Sequence, residues 1–398
     1  MHLHSDICII GNGAIGKTAA LGFAQAGLSV TLLCPSAVAD IHHEGSWDVR
    51  VYALNHVANE LLTKLRVWDA LDASRIAPVD AMHVHGDGAQ NAGKLAFDAY
   101  GARVNALAWI VEDSNLNQAL DTALKFTPKI QCVTGRAVEI DTSGTHALVH
   151  LENGDCLQAQ LLVGADGAQS WVRNQSDIGI DYRAYHQRAI VANFECALPH
   201  QGVAYQWFDP LQGVIALLPL PGQRVSLVWS APDALAETVM RESMAQLAER
   251  LAAFAMPVLG VLTPLQPEVR KALPLNFIRP HAITAPRVAL VGDAAHVVHP
   301  LAGHGMNLGF ADVSSLLKIV LERESHRTCG DPRVLGRYAR SRKEEILLMQ
   351  MATDGLERLF SSEFEPLRVM RNLGMNLLDG MPVLKRRLIS QALGRLVS

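Results

Sequence analysis

The stretch "DICIIGNGAIGKTAALGFAQAGLSVTLLC", Asp6 to Cys34, constrains the fold of this chain more than any other. A short apolar strand (Ile7 to Ile10) runs through Gly11, Gly13 and Gly16 into an amphipathic helix, and a second strand follows at Ser29 to Leu33. This is the strand–helix–strand unit of a parallel α/β sheet, with its glycines in the G-x-G-x-x-G spacing. Gly11 permits the tight turn. Gly13, followed by Ala14, lets a pyrophosphate approach the backbone, and Gly16 lets helix and strand pack closely, with the helix N-terminus facing the anion. One expected part is missing. The second strand of such a unit usually ends in an acid that accepts hydrogen bonds from ribose hydroxyls, and here the position is Cys34, followed by Pro35. Asp40 and Glu44 in the next loop are substitutes between which the sequence does not choose.

A chain of 398 residues, 49% hydrophobic and 19% charged, is long enough for one large domain or two moderate ones. A net charge of -4 gives no global basic field, which makes nucleic acid a poor candidate partner. The six cysteines are far apart and form no C-x-x-C pair, which argues against a zinc site and a disulfide scaffold and for a reducing cytoplasm. The N-terminus, "MHLHSDICIIGNG", lacks a basic n-region and reads as a buried strand instead of a signal peptide. No stretch approaches the roughly 20 apolar residues needed to cross a bilayer, so the expectation is a soluble or peripheral protein.

Two later stretches repeat the design of a strand that stops at glycine and aspartate. In "QLLVGADGAQSWVR" (Gln160 to Arg173) the strand ends at Gly164, with Asp166 and Gly167 in the turn and Ser170 and Arg173 beyond. This places a carboxylate at the carboxyl end of a sheet, where ligands of open α/β folds bind; the plainer alternative is a turn with Asp166 as its local acceptor. In "RVALVGDAAHVVHPLAGHGMNLGFADV" a strand (Val288 to Val291) leads to Gly292 and Asp293. A loop with Pro300, Gly303 and Gly305 follows, then a helix from about Met306 that contains Asp312. Two glycines flanking His304 directly before a helix expose backbone N–H groups to a ligand. His296, His299 and His304 lack the helical H-E-x-x-H arrangement, and the intervening proline and glycines break any common face, so a cofactor cradle is preferred to a metal site. Each histidine alone is expected to pack or hydrogen-bond within the loop.

In order and spacing, the G-x-G-x-x-G set, Arg50 in "DVRVYAL", "GADGAQSWVR" and "GDAAHVVHPLAGHGMNLGFADV" together resemble the class A flavin-dependent aromatic hydroxylases. Within these, "HPLAGHGMNLGFADV", "GVIALLPLPGQRVSLVW" and the tail "LRVMRNLGMNLLDGMPVLKRRLISQALG" are similar to the ubiquinone-biosynthesis hydroxylases, and the similarity covers nearly the whole chain. It implies an α/β fold: an FAD-binding, Rossmann-like domain of the glutathione-reductase type, an inserted antiparallel-sheet substrate domain, and C-terminal helices. Residues 1–75, 100–175 and 281–340 would form the FAD-binding domain, 76–99 and 176–280 the substrate domain, and 341–398 the helical region. The alternation of apolar and polar residues from Gln187 to Trp229 agrees with antiparallel strands there.

The resemblance also implies an enzyme, an FAD-dependent monooxygenase. It would hydroxylate the aromatic ring of a polyprenylated phenol or quinone precursor with O2 and with NAD(P)H as transient electron donor. Gly11, Gly13, Ala14 and Gly16 would hold the FAD pyrophosphate, Arg50 would lie beside the cofactor, and Asp293 would meet the ribityl chain. Gly303, Gly305, Met306 and Asn307 would line the isoalloxazine, with Pro300 beside the ring where oxygen is activated. Asp166 and Arg173 would serve FAD and the nicotinamide. His299 and His304 are candidate bases by proximity alone. The chain departs from the family at Cys34, at His304 in place of glutamine, and at Val111-Glu112-Asp113-Ser114, where an arginine expected at the last position is absent. Two other readings are a flavin-dependent isoprenoid reductase or epoxidase and a non-catalytic scaffold of a quinone-biosynthesis complex.

Residues 367–398 combine leucines and methionines with Arg368, Arg371, Lys385, Arg386, Arg387 and Arg395 against a single acid, Asp379. Such a tail suits an anionic membrane or a partner protein, which would put the protein in the cytoplasm at the inner face of the membrane; the alternative is helices that cap their own domain with a solvated basic face. From the missing ribose acid, Cys34→Glu is expected to tighten FAD binding by at most one charge-assisted hydrogen bond, roughly 1.5–3 kcal/mol. Flavin titration of the variant checks this, and unchanged or weaker binding means that another residue already fills the role.

Overall fold

The first apolar run becomes the strand His2–Ile10 at the heart of a sheet. It is longer than its apolar residues alone suggest because it pairs in parallel with Cys156–Gly164 along its whole length, from His2 opposite Cys156 to Ile10 opposite Gly164. The ladder recruits His2, His4 and Ser5, whose side chains have no apolar reason to be there. The computed structural model describes residues 2–35, 46–87, 93–266, 268–300, 303–361, 364–379 and 381. Asp40 and Glu44 lie outside the described residues.

In this first sheet the strands run in the order Thr284–Ala285, Val288–Leu290, Cys156–Gly164, His2–Ile10, Val30–Cys34, Ile130–Thr134, and the hairpin Ala137–Asp141 and Ala147–Leu151 joins Cys156–Gly164. The central pairings are parallel. Both faces are covered, which is why these strands read as unbroken apolar runs. On one face Ile7, Ile9, Val30 and Leu32 pack with Phe23, Leu120, Phe310 and Leu316 from the helices Ala14–Gln25, Asp113–Lys125 and His304–Leu321. On the other, Cys8, Ile10, Leu33 and Leu162 pack with Val149 and Val172.

The second sheet is mostly antiparallel, in the order Leu262–Pro264, Ile180–Cys196, Arg224–Pro232, Gly213–Leu220, Val203–Asp209, Ala81–His85, Lys94–Asp98, with Lys271–Pro280 also paired to Ile180–Cys196. Alternation along the strands sends Ile190, Phe194, Ile215, Leu217, Leu227 and Trp229 to one face, where Met244, Leu247 and Leu251 of the helix Met244–Leu259 cover them. The opposite face turns toward the first unit. There the Asn193 side chain donates to the Asp48 carbonyl (2.9 Å), and Ala204 and Leu220 pack on Val79 and Ile110 of a small sheet made by Val51–Leu54, Ala108–Glu112 and Ile76–Val79.

The long helix Pro332–Ser361 ties the two units together. Its Tyr338 hydroxyl donates to the Leu290 carbonyl (2.8 Å), its Gln350 amide to the Ile278 carbonyl (3.3 Å), and its Asp354 pairs with Arg183. The helix Glu365–Asp379 follows. Arg368 and Arg371, which the capping alternative places on a solvated basic face, both close on the buried Asp87 (2.5 Å each), because an isolated carboxylate at that depth requires a cationic partner. Lys385, Arg386, Arg387 and Arg395 lie outside the described residues. Among the described residues no helix is long and apolar enough to cross a membrane.

Candidate functional site

The first glycine turn sits where the strand His2–Ile10 meets the helix Ala14–Gln25. Gly11 has φ +116°, and a Cβ there would stand 2.3 Å from the Ala165 carbonyl oxygen. At Gly16 a Cβ would stand 2.0 Å from the Gly11 oxygen, whereas at Gly13 it would meet nothing within 4 Å. Two glycines are therefore demanded by packing and the third opens a space over the helix end. No side chain caps that end and its first turn, beginning at Ala14, holds no acid, so its N–H groups remain available to an anion.

A second loop is fastened against the first by a buried carboxylate. Asp312, fully buried on the helix His304–Leu321, accepts from the Gly292 N–H (2.9 Å), from His296 Nε2 (2.6 Å) and from Arg342 Nε (2.7 Å). Burial alone would raise its pKa, but His296 and Arg342 outweigh burial and hold it below the ordinary value. The helix can approach this closely because Gly309 has no Cβ; one there would lie 2.8 Å from Ile15 Cδ1 and 3.2 Å from the Gly292 Cα. With the Gly292 backbone held at φ +62°, the next side chain, Asp293, is turned outward.

Solvent reaches Asp293, yet surrounding protein atoms push its carboxyl pKa up, against the opposing influence of His296 and Arg50. Arg50 is likewise exposed, 5.5 Å from the Tyr52 ring; burial works against its charge, but Tyr52, Asp113, Asp293 and Asp48 together raise its pKa. The Tyr52 hydroxyl donates to Asp113 (2.8 Å). An exposed acid and an exposed base thus act on each other beside the start of the helix Ala14–Gln25.

The third part is the loop before the helix His304–Leu321. Gly303, at φ +67°, donates its N–H to the Pro300 carbonyl (3.1 Å), and a Cβ on it would touch Ala53 at 3.2 Å. The Asn307 side chain donates to Ala53 (2.8 Å) and Gly303 (3.2 Å) carbonyls and accepts from the Asn55 N–H (2.9 Å), stapling the loop to the strand Val51–Leu54, which carries Tyr52 and follows directly on Arg50. Gly305 has open space where a Cβ would be, Met306 is half-buried against the first core, and Pro300 is partly buried. The His304 side chain lies outside the described residues.

Other expected residues make hydrogen bonds within the protein. Asp166 accepts from Ser170 Oγ (2.5 Å) and the Val172 N–H (2.9 Å), the local turn arrangement, and buried Arg173 donates to the carbonyls of Ala294 (3.1 Å) and Ala168 (2.8 Å), bracing one Gly-Asp loop on the other. His299 is fully buried. Its Nε2 meets Gln187 Oε1 (3.0 Å) while the Gln187 amide donates to Glu357 (3.0 Å), and Tyr185 packs edge-on at 4.9 Å. Sequence reasoning missed Gln187, Arg342 and Glu357, which lie far along the chain and carry no local signal. It also missed Arg75, whose guanidinium binds the fully buried Glu112 (2.5 Å) beside the position of the absent arginine.

Burial lowers the His299 pKa from 6.5 to about 4. Between these values the unfolded chain binds a proton that the folded chain excludes, so stability is complete above pH 6.5 and falls as pH drops toward 4, by about 3 kcal/mol in all. Chemical denaturation across this range should show the slope in the native protein and a shallower one in His299→Asn; identical slopes would show that His299 does not carry it.

The comparisons with known proteins agree with this geometry. The profile of a family described as FAD binding domain matches residues 4–350. The 3-demethoxyubiquinol 3-hydroxylase of Escherichia coli is 35% identical over 98% of both chains, and the ubiquinone hydroxylase UbiL of Rhodospirillum rubrum is 33% identical over 98% of this chain and 90% of its own. Among solved structures, p-nitrophenol 4-monooxygenase PnpA from Pseudomonas putida shares the fold with a TM-score of 0.80 at 18% identity over 100% of both chains. A family match across most of the chain, joined to relatives above 30% identity over nearly their full length, places this protein in the FAD binding domain family, in the branch of the ubiquinone hydroxylases.

Proposed function

We propose that this chain is an FAD-dependent monooxygenase that hydroxylates the aromatic ring of a polyprenylated phenol or quinone precursor in ubiquinone biosynthesis, with electrons from NAD(P)H and oxygen from O2. The observation that carries this reading is the packing of three cofactor-shaped parts side by side: an uncapped helix N-terminus behind Gly13, an outward carboxylate at Asp293, and the glycine loop ahead of Met306. The residues present fit FAD. When bound, the flavin supplies the redox and oxygen-activating chemistry, and the protein supplies binding, orientation and exclusion of water.

In this reading Gly11, Gly13, Ala14 and Gly16 receive the pyrophosphate, and Asp293 takes the ribityl hydroxyls. Arg50 balances charge beside the cofactor, and Gly303, Gly305, Met306 and Asn307 form the backbone shelf for the ring system, with Pro300 at its edge. The inner face of the second sheet closes over the substrate. A polyprenyl tail is too apolar to travel free in water, so the enzyme meets its substrate at a membrane surface, from the cytoplasmic side, or receives it from a partner, and residues 367–398 are the segment suited to that contact.

Turnover under isotopically labelled O2 should place one labelled atom on the product ring. Unlabelled product would point to a reductase, and a protein that takes up no flavin on reconstitution would point to a scaffold. Asp293→Ala should weaken FAD binding by roughly 1.5–3 kcal/mol, the worth of a charge-assisted hydrogen bond. Asp166→Ala should instead cost about 1 kcal/mol of fold stability, since its carboxylate caps a local turn. Flavin titration and thermal melting of the pair separate the two, and a larger flavin loss for Asp166→Ala would overturn the assignment.

A further inference from the structure

The helix Glu365–Asp379 is amphipathic the wrong way round for a capping helix. At about 100° per residue, Arg368, Arg371, Asn372, Asn376 and Asp379 fall on one side, and this is the side that meets the protein. Asp87 binds Arg368 and Arg371 (2.5 Å each), and the Asn372 amide donates to the Asp87 carbonyl (2.8 Å). Asn376 accepts from the Lys94 N–H (2.8 Å) and Asp379 from the Ala96 N–H (3.0 Å). The reason for a polar underside is plain: Lys94–Asp98 is the edge strand of the second sheet, and its outward N–H groups need acceptors. Among the described residues, Met375 is the apolar residue buried on that side, against Phe208 and Phe360.

The opposite side has no such explanation. Val369, Met370, Leu373 and Leu377 stand on one arc of the helix and are 50%, 68%, 63% and 65% exposed, and Met381 continues the line at 43%. Apolar residues clustered on one helix face mark a surface that something else covers. The chain that follows directly, residues 382–398, carries Lys385, Arg386, Arg387 and Arg395 and no acid. An apolar face continued by an acid-free cationic segment complements an anionic lipid surface: the side chains enter the headgroup boundary while the cations meet lipid phosphates.

We infer that the outer face of this helix, Val369, Met370, Leu373 and Leu377, is a docking surface for an anionic membrane, held to the rim of the second sheet by the Asp87 clasp. The inference deepens the reading of a prenylated substrate and rests on it for its purpose, since it seats the lipid surface beside the sheet proposed to cover that substrate. The docking itself is scored without turnover, so its failure and the failure of the hydroxylase reading are separate results.

The test is co-sedimentation of the FAD-loaded full chain with vesicles of phosphatidylcholine, with and without phosphatidylglycerol. The native protein should sediment with the anionic vesicles and much less with the neutral ones. Leu373→Asp combined with Leu377→Asp should weaken this roughly ten-fold or more while flavin content and melting temperature stay unchanged, because both side chains already face solvent. Lys385→Glu combined with Arg386→Glu should weaken it on anionic vesicles alone. Equal sedimentation of native and Leu373/Leu377 variant protein overturns the proposal, as does equal binding to neutral and anionic vesicles. So does a native dimer that the Leu373/Leu377 change converts to monomer without any vesicle binding, which would give the face to a second copy of the chain.

Discussion

The candidate site depends on one buried carboxylate. Asp312 has no solvent contact, so its charge is tolerable only with its three donors in place, and those donors come from three different parts of the chain: the Gly292 turn, His296 in the loop, and Arg342 on the long C-terminal helix. Satisfying that charge orients the turn so that Asp293 points outward. It also presses the helix His304–Leu321 onto Ile15, beside the first glycine turn, which is possible only at Gly309. The first glycine turn and the loop ahead of Met306 are thereby set at a fixed separation.

The long helix extends this logic to the second sheet. Arg342 fastens Asp312, while Asp354 and Glu357 reach Arg183 and Gln187 on Ile180–Cys196. Gln187 returns to His299, so the loop ahead of Pro300 is held from both units through one amide. Polar anchors of this kind specify position more sharply than apolar packing, because each fails if its geometry shifts. The result suits a site whose contribution is orientation.

The end of the strand Val30–Cys34 is different in character. Cys34 is neighboured by the buried Lys17, which is committed to Asp121 (2.7 Å) and Asn117 (3.1 Å), and burial pushes the Cys34 thiol pKa up, so it offers a neutral, weak hydrogen-bonding group where a carboxylate is usual. The Asp121 carboxylate lies close enough to act on that thiol, and it comes from the helix Asp113–Lys125, at a distance in sequence that no reading of the first unit would reach.

Much of this was legible in the sequence because the relevant physics is local. A glycine demanded by a positive φ or a backbone contact, a strand ended by Gly-Asp, and a two-residue alternation through Gln187 to Trp229 are written in neighbouring residues, and they determined the α/β class, the cradle segments and the inserted sheet. The partners of charge were not legible. That His299 would meet Gln187, that Arg75 would neutralise Glu112, and that Arg368 and Arg371 would turn inward to Asp87 depend on which distant groups share a low-dielectric site. A buried charge takes the nearest opposite charge that the fold delivers, and only the tertiary structure decides which one that is.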